Sequence, residues 1–421
     1  MSEALINEYK LYCANPICEE LLTAEITRCT RCQEPQLFCR SCGSTARLLA
    51  RYCRLCTAPL QTDWAIAHTG LQFHPRAYAP VPTNRLSLSW QFNCDSEMTA
   101  APLAARGIVV LTQCNGRIIL IDETDARIRT QLQVTPPISF TPVLIDNLLV
   151  VAAGDSMVAV DLIAALYGGM AKRELIAWQL PLATPALVTR PLLANAGTVI
   201  ATVKQSTQSQ VLIIDSESGQ IRATVALEGR SGKTTAPYLK EKDLFIANRD
   251  GTIMLIDVAR AQVRAKVHSG REIDTDVLPC GRANSVYFVL ADGQLCSASL
   301  AELQLQSFGD TGGLIINALA ATEKHVAVAH GSGLALYDPF GALLWETALD
   351  ANSIVTVPLI ENDHAWVIDD SGMMFFFSLL VSVPRLRQRI FEHAVALPAI
   401  LTDDQLIFSS TAGQVKAYRW R

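Results

Sequence analysis

The sequence predicts an all-β protein: an eight-bladed β-propeller that follows a small, metal-stabilised N-terminal module. Three observations predict this fold. A pattern of alternating apolar residues recurs about every 42 residues over most of the chain. Helical periodicity is nearly absent. Eight of the twelve cysteines lie within the first 56 residues, at spacings that suit metal binding.

The N-terminal cysteines divide into two sets of four, and each set consists of two cysteine pairs with ten residues between them. A CxxC turn places two thiolates on one tight loop, which suits two corners of a tetrahedron around Zn²⁺. We therefore predict two structural zinc ions, each with four thiolate ligands and no open position for a catalytic water. The first set is Cys13, Cys18, Cys29 and Cys32, and the second set is Cys39, Cys42, Cys53 and Cys56.

Other arrangements of these cysteines stay open at this stage. They are disulfides, an iron–sulfur cluster, and a cross-braced pairing of the first with the third cysteine pair. The equal ten-residue gaps favour the sequential arrangement. Residues 13–56 resemble the double zinc ribbon family, except that four residues separate Cys13 from Cys18 where the other pairs have two. Because residues 1–60 contain few large apolar side chains, we expect zinc to supply the folding energy of this module.

Six arginines accompany these cysteines and allow two interpretations. They could form a patch for phosphate or nucleic acid, or they balance the negative charge that four thiolates leave on a zinc ion. The arginines are Arg28, Arg31, Arg40, Arg47, Arg51 and Arg54. Interspersed acidic residues favour charge balance, and these are Glu19, Glu20, Glu25 and Glu34.

The propeller prediction depends on eight repeats within residues 85–421. In each repeat an apolar strand ends at a residue that opens a turn, and a glycine stands six positions earlier in five repeats. The strand-ending residues are Asp122, Asp161, Asp215, Asp257, Ser299, Asp338, Ser378 and Arg419. A period near 42 residues matches one four-stranded blade. Seven blades are the alternative if the third repeat, which follows a 54-residue step, is irregular.

The last repeat lacks an outer strand, whereas the strand-like segment RLSLSWQF at 85–92 precedes the first blade. We expect this segment to complete the last blade, because closing the ring removes an exposed sheet edge. The only helical candidate is LIAALYGGMAKREL in the second blade. Residues 61–84 form a predicted linker, and we expect Trp64, Phe73 and Tyr78 to dock it on the propeller.

The repeats resemble the quinoprotein-like (PQQ-type) propeller family, most closely in GLALYDPFGALLWET and next in QVLIIDSESGQIRATV. Enzymes of that family hold pyrroloquinoline quinone with calcium, a stacking tryptophan and a disulfide between adjacent cysteines. This chain has no adjacent cysteines, and those of the propeller are scattered: Cys94, Cys114, Cys280 and Cys296. We therefore expect no quinone-dependent activity, no bound organic cofactor and no catalytic residues.

Two further motifs resemble a phosphate-binding loop and a metal-binding histidine pair, but neither predicts a functional site. GRSGKTT at 229–235 lacks a glycine that a phosphate-binding loop requires, because that position is Leu227. His325 and His330 are five residues apart on a predicted strand and therefore point to opposite faces, which does not suit metal binding.

Composition and charge argue against several classes of function. A net charge of −5 provides no global basic field for nucleic acid. The longest apolar stretch, MMFFFSLLVSV at 373–383, is too short to cross a bilayer and is predicted to be a buried strand. The first residues, MSEALINEYKLYC, show no basic region followed by an apolar one, so we expect no secretory signal and a cytoplasmic location.

From these features we expect a bacterial, non-enzymatic protein–protein interaction scaffold that binds protein partners through the ribbons and one propeller face. In the resembling family its best analogue is the scaffold lipoprotein of outer-membrane β-barrel assembly. The alternative function is a nucleic-acid-associated factor that binds through the arginine-bearing ribbons.

Overall fold

Ten small antiparallel sheets make up the described part of the chain in a computed structural model, and eight of them are the blades of a β-propeller. The structure describes residues 11–13, 18, 20–22, 29–32, 37–39, 44–46, 53 and 55–57 of the N-terminal region. From residue 86 to 420 it describes all positions except 106, 168–174, 184–185, 196, 207, 229–233, 274, 281–284, 300, 312–315, 323, 332, 350–353, 355, 362, 393–396 and 403–404.

Two short hairpins lie in the N-terminal region. Strand β1 (Leu11–Tyr12) pairs with β2 (Leu21–Leu22), and β3 (Leu37–Phe38) pairs with β4 (Thr45–Ala46). Strand β5 (Leu86–Asn93) then begins the propeller.

The first four blades follow in chain order, each built from consecutive antiparallel strands. Blade 1 consists of β6 (Leu103–Ala105), β7 (Ile108–Thr112), β8 (Arg117–Asp122) and β9 (Ile128–Gln133). Blade 2 consists of β10 (Val143–Ile145), β11 (Leu148–Ala153), β12 (Ser156–Asp161) and β13 (Ile176–Pro181), with helix α1 (Leu162–Tyr167) after β12. Blade 3 consists of β14 (Ala186–Val188), β15 (Leu193–Asn195), β16 (Thr198–Gln205), β17 (Gln208–Asp215) and β18 (Ile221–Leu227). Blade 4 consists of β19 (Tyr238–Lys240), β20 (Asp243–Ala247), β21 (Thr252–Asp257) and β22 (Gln262–His268).

The remaining four blades repeat this design, and the last one borrows its outer strand from the start of the propeller. Blade 5 consists of β23 (Leu278–Cys280), β24 (Ser285–Val289), β25 (Gln294–Ser299) and β26 (Leu305–Asp310). Blade 6 consists of β27 (Ile316–Ala321), β28 (Val326–His330), β29 (Gly333–Tyr337) and β30 (Leu343–Ala348). Blade 7 consists of β31 (Leu359–Glu361), β32 (His364–Ile368), β33 (Met373–Ser378) and β34 (Pro384–Arg389). Blade 8 consists of β35 (Ile400–Leu401), β36 (Leu406–Ser409), β37 (Gln414–Trp420) and β5.

The third repeat forms a complete blade, so the ring has eight blades and the seven-bladed alternative was wrong. Two features account for the 54-residue step before it. Helix α1 is inserted in blade 2, where the sequence suggested a helical excursion, and β16 and β17 are longer than the corresponding strands elsewhere. Asp161 caps α1, because its Oδ1 accepts the backbone N–H groups of Ile163 and Ala164 at 2.8 and 3.0 Å.

Glycine and aspartate at the repeated positions form the two hairpin turns of a blade. Gly372 has a φ of +78°, and a Cβ there would collide with the backbone carbonyl of Phe391, so only glycine fits. Asp338 opens the other hairpin turn, which connects β29 to β30. Its Oδ1 accepts the backbone N–H groups of Phe340 and Ala342, both at 2.8 Å.

The two ends of the propeller meet in blade 8. Strand β5 pairs antiparallel with β37, from Gln414 opposite Asn93 to Trp420 opposite Leu86. The strand-like segment that precedes the first blade therefore supplies the outer strand that the last repeat lacks. This pairing joins residues more than 300 positions apart. It gives blade 8 its fourth strand and closes the ring.

The apolar stretch at 373–383 divides into two halves of opposite exposure. Phe375, Phe376 and Phe377 in β33 are at most 1% exposed, as expected for a buried strand. The expectation was wrong for the second half, because Leu380 is 76% and Val383 is 67% exposed in the turn between β33 and β34. Leu379, the first residue of the same turn, is still buried, so the exposed part of the stretch begins at Leu380. No helix in the described part of the chain has the length and hydropathy to span a membrane.

Candidate functional site

The first set of cysteines converges on one point beside the β1–β2 hairpin. The sulfur atoms of Cys13, Cys18, Cys29 and Cys32 all lie within 4.8 Å of one another. The Cys13 and Cys32 sulfurs are 3.5 Å apart, and those of Cys18 and Cys29 are 3.7 Å apart. The backbone N–H of Cys13 donates to the carbonyl of Glu20 at 2.8 Å, which holds the first cysteine pair at the hairpin.

These sulfur separations match a metal site. A Zn–S bond of about 2.3 Å gives a tetrahedron whose edges are about 3.8 Å long. A disulfide would need the sulfurs about 2.0 Å apart, and none of the four cysteines forms one. The residues therefore fit a metal ion that four thiolates hold, and the cluster could hold one.

Backbone donors favour ionisation of the most buried thiol of this set. Cys29 is fully buried, and desolvation opposes its ionisation. The backbone N–H groups of Cys32 and Arg31, with the neighbouring thiols, outweigh desolvation and lower the pKa of Cys29 to about 7. Desolvation raises the pKa of its neighbour Cys18. A shared set of thiols with one member close to ionisation at neutral pH suits metal binding.

The second set forms a similar cluster beside the β3–β4 hairpin. The sulfurs of Cys39, Cys53 and Cys56 lie within 4.8 Å of one another, and those of Cys39 and Cys56 are 3.5 Å apart. The Cys53 sulfur accepts the N–H of Leu55 at 3.3 Å and that of Cys56 at 3.5 Å. The predicted fourth ligand, Cys42, lies outside the described residues.

The described cysteines group sequentially. Cys13 and Cys18 lie with Cys29 and Cys32, whereas cross-bracing would place them with Cys39. One hydrogen bond connects the two hairpins, since the Thr45 hydroxyl donates to the Tyr12 carbonyl at 2.5 Å. The two clusters therefore belong to neighbouring but separate hairpins.

The second cluster packs on the propeller. Cys39, Ala46 and Cys53 belong to the same buried apolar cluster as propeller residues of blades 1 and 2, which include Leu103 and Leu162. Cys56 and three residues of helix α1 pack against this cluster, and these helix residues are Ala164, Ala165 and Leu166. The first cluster forms a separate apolar group of Cys13, Cys18, Leu22 and Cys29. No sequence pattern predicted this docking, because neither hairpin has a recognisable apolar face of its own.

Only one of the six arginines of the N-terminal module is described. Arg31 donates to the carbonyl of Cys18 at 3.2 Å and lies 3.7 Å from the carboxylate of Glu20, with its side chain 69% exposed. The contact with Glu20 favours charge balance for this residue. The other five lie outside the described residues: Arg28, Arg40, Arg47, Arg51 and Arg54. The linker residues Trp64, Phe73 and Tyr78 also lie outside them, as does the phosphate-loop-like segment 229–233.

In the propeller, the described part shows no further group of three or more metal-binding side chains. The His330 imidazole lies 3.3 Å from the Glu346 carboxylate, and desolvation lowers the pKa of both His325 and His330. Desolvation likewise raises the pKa of Cys94 and Cys296, which keeps both thiols protonated at neutral pH.

Comparison with known proteins identifies the propeller. A family model described as outer membrane protein assembly factor BamB matches residues 86–303, about half of the chain. No curated protein matches the sequence significantly. Among solved structures, BamB from Moraxella catarrhalis superimposes with a TM-score of 0.64 at 15% identity, covering 80% of this chain and 100% of that one.

Two other solved structures show how widely this fold is used. Sqt1 from Saccharomyces cerevisiae has a TM-score of 0.64 at 13% identity, over 79% of this chain and 99% of its own. The quinohemoprotein alcohol dehydrogenase ADHIIG from Pseudomonas putida HK5 has a TM-score of 0.61 at 10% identity, over 81% and 78%. At these identities the likeness concerns the fold alone, and the fold serves enzymes as well as other proteins.

Proposed function

The chain belongs to the family described as outer membrane protein assembly factor BamB, and from this membership we propose that it is a non-enzymatic protein-interaction scaffold. One observation in particular supports this proposal. The second cysteine cluster packs on blades 1 and 2, so the β3–β4 hairpin holds a fixed position on the ring, and the Thr45–Tyr12 hydrogen bond connects the β1–β2 hairpin to it. Ribbons and propeller face then form one composite binding surface, which suits a protein that holds partners together.

Two structural zinc ions hold the ribbons in this proposal. Cys13, Cys18, Cys29 and Cys32 bind one ion, and Cys39, Cys53 and Cys56 bind the other together with Cys42. Bound zinc supplies folding energy to hairpins of two residues per strand, which bury too little apolar surface to fold alone. All ligand positions are thiolates, so neither ion has a site for substrate.

The state of the cysteines and the contacts of Arg31 support a location and a class of partner. The described N-terminal cysteines form no disulfide, which suits the reducing cytoplasm of a bacterium, where we place the protein. The partners are proteins. Binding to nucleic acid through the ribbon arginines has less support, because the described arginine, Arg31, is engaged with Glu20 and with the Cys18 carbonyl.

Co-purification tests the proposal. Full-length protein purified from its native cells should carry a stoichiometric protein partner and should bind generic duplex DNA no better than a neutral control protein. Binding to DNA that weakens steeply as salt rises, without a protein partner, would contradict it, because that dependence marks phosphate contacts. Reduction of a dye after addition of pyrroloquinoline quinone and calcium would contradict the non-enzymatic assignment.

A further inference from the structure

The two cysteine clusters differ in how far their ligands are open to solvent. In the first set Cys32 is exposed, whereas the other three cysteines are at most 8% exposed. In the second set Cys39 and Cys53 are each 2% exposed, and Cys56 is partly buried. Among the metal ligands that the structure describes, Cys32 is therefore the one that a small molecule in solution reaches directly.

Packing on the propeller accounts for part of this difference. Cys39 and Cys53 belong to the apolar cluster of blades 1 and 2, and Cys56 packs against it. The apolar group of the first set consists of three of its own cysteines and Leu22, and it shares no member with the propeller. Propeller side chains thus cover the second cluster, while the first cluster lies outside their cover.

The sulfur atom nearest to that of Cys32 belongs to Cys13, at 3.5 Å. The two sulfurs need to approach by about 1.5 Å to form a disulfide, and rotation of two short side chains supplies such a movement. Cys39 and Cys56 form the corresponding pair of the second cluster, also at 3.5 Å. The two pairs therefore have the same separation and differ in exposure, because Cys32 is exposed and Cys56 is partly buried.

We propose that Cys32 and Cys13 are a site of oxidation by peroxides, and that the resulting disulfide releases the zinc ion of the first cluster. The Cys32 sulfur attacks one oxygen of hydrogen peroxide, the O–O bond breaks, and a sulfenic acid forms while hydroxide leaves. The Cys13 sulfur then attacks the Cys32 sulfur, so the S–S bond forms and the S–O bond breaks. Two protons from the solvent convert the two hydroxides to water, and the two thiolates supply the two electrons.

Loss of two ligands opens the first cluster. Only Cys18 and Cys29 remain as thiolates, and structural zinc sites hold their ion with four ligands. Without the ion, the β1–β2 hairpin keeps two residues per strand and the bond from the Cys13 N–H to the Glu20 carbonyl, which are too few contacts for a stable fold. The β3–β4 hairpin stays on blades 1 and 2, so oxidation removes one half of the ribbons from the composite surface.

Treatment of the zinc-loaded full-length protein with hydrogen peroxide tests the proposal. A zinc-binding chromophore follows the released ion, and peptide mass spectrometry after blocking with N-ethylmaleimide locates the disulfide. The first ion should leave at least about tenfold faster than the second, together with formation of the Cys13–Cys32 disulfide, while the cysteines of the second set stay reduced. A phosphine reductant and added zinc should restore both ions.

Two histidine variants form a matched pair of tests. Cys32→His keeps four zinc ligands, since three cysteines and one histidine also hold structural zinc, but it forms no disulfide with Cys13. Release of the first ion should slow at least about tenfold in this variant. The control is Cys56→His, which makes the same change in the second cluster and should release the first ion at the wild-type rate. If Cys32→His binds a single ion, Cys13→His removes the other sulfur of the pair and is expected to show the same slow release.

Three outcomes would overturn the proposal. They are equal rates of release from the two clusters, a first disulfide within the second set, and release from Cys32→His at the wild-type rate. The inference rests on the zinc sites of the proposed function and is independent of the partner. Purified protein without zinc would refute those sites and the oxidation site together, whereas retention of both ions in excess peroxide would refute the oxidation site alone.

Discussion

The indole N–H of Trp345 in blade 6 donates a hydrogen bond of 2.9 Å to the carbonyl oxygen of Leu379 in blade 7. The indole also stacks on Phe377, with 6.0 Å between ring centres. Two other tryptophans on outer strands repeat this bond to the following blade, Trp90 to Glu123 at 2.6 Å and Trp178 to Ser216 at 2.7 Å. One side chain thus connects each of these blades to its neighbour through both packing and a directional bond.

We predict that Trp345→Phe lowers the free energy of unfolding by about 1–3 kcal/mol, because the Leu379 carbonyl loses its donor while the ring stack is largely retained. Trp345→Ala should lower it further, since it also removes the stack on Phe377. Urea denaturation followed by circular dichroism measures both variants. Wild-type stability of Trp345→Phe would show that the bond contributes nothing beyond packing.

Elemental analysis should find two zinc ions per chain, because the cysteines form two separate clusters. Cys32→Ser removes one ligand of the first set and should lower the count to about one ion per chain. The β-sheet signal in the far-UV should change little, since the first cluster shares no apolar cluster with the propeller. One metal ion per wild-type chain, or iron in place of zinc, would contradict the two-site assignment.

The repeat pattern predicted the fold well because each signal is local. A glycine with positive φ stands at the same place in five blades, and an aspartate caps the following turn in three, so these residues recur at a fixed period. The grouping of Cys13 and Cys18 with Cys29 and Cys32 also followed from spacing along the chain.

Features that depend on contacts between distant residues had no such signal. The packing of the second cysteine cluster beside α1 joins residues about 110 positions apart, and no local pattern marks either partner. The prediction that residues 373–383 form one buried strand was wrong in its second half for a related reason. Composition reports hydrophobicity but not the position where a strand turns, so Leu380 and Val383 seemed to belong to the core of the blade although they are exposed.

Deleting residues 85–92 should open the ring, because β5 is the outer strand of blade 8 and pairs with β37 along its length. The exposed edge of β37 can then pair with other chains, and we predict aggregation and a lower melting temperature. Light scattering and differential scanning calorimetry measure these changes. Deletion of residues 1–34, whose described residues share no apolar cluster with the propeller, serves as the control. A monomeric deletion variant with the wild-type melting temperature would argue against closure by β5.

Acid should remove the contribution of the Asp215 carboxylate to stability. The backbone N–H of Ser218, its hydroxyl and the Arg222 guanidinium lower the pKa of Asp215 to about 2, from about 3.9 in an unfolded chain. The carboxylate therefore stabilises the fold above about pH 4, and this contribution disappears as the pH falls through 2. Asp215→Asn should melt below wild type at pH 7, and the difference should shrink between about pH 4 and 2. If the difference in melting temperature does not change with pH, Asp215 stabilises the fold through the shape of its side chain and not through its charge.

Loss of metal from the second cluster should loosen helix α1. Cys56 packs against the apolar cluster that contains Cys39, Cys53 and Leu162, and Ala164, Ala165 and Leu166 of the helix do the same. A helix of six residues has little stability of its own, so its protection depends on this packing. Hydrogen exchange at residues 165–167 should therefore accelerate in Cys56→Ser.

The matched control is Cys32→Ser, which disrupts the first cluster and leaves the apolar cluster of blades 1 and 2 intact. Exchange at 165–167 should stay at the wild-type rate in this variant, and exchange in β21 of blade 4 should be unchanged in both. Equal acceleration in the two variants would mean that the ribbons unfold as one unit. Unchanged exchange in Cys56→Ser would mean that α1 is held by the propeller alone, and the ribbons would then lack the fixed position that a composite binding surface requires.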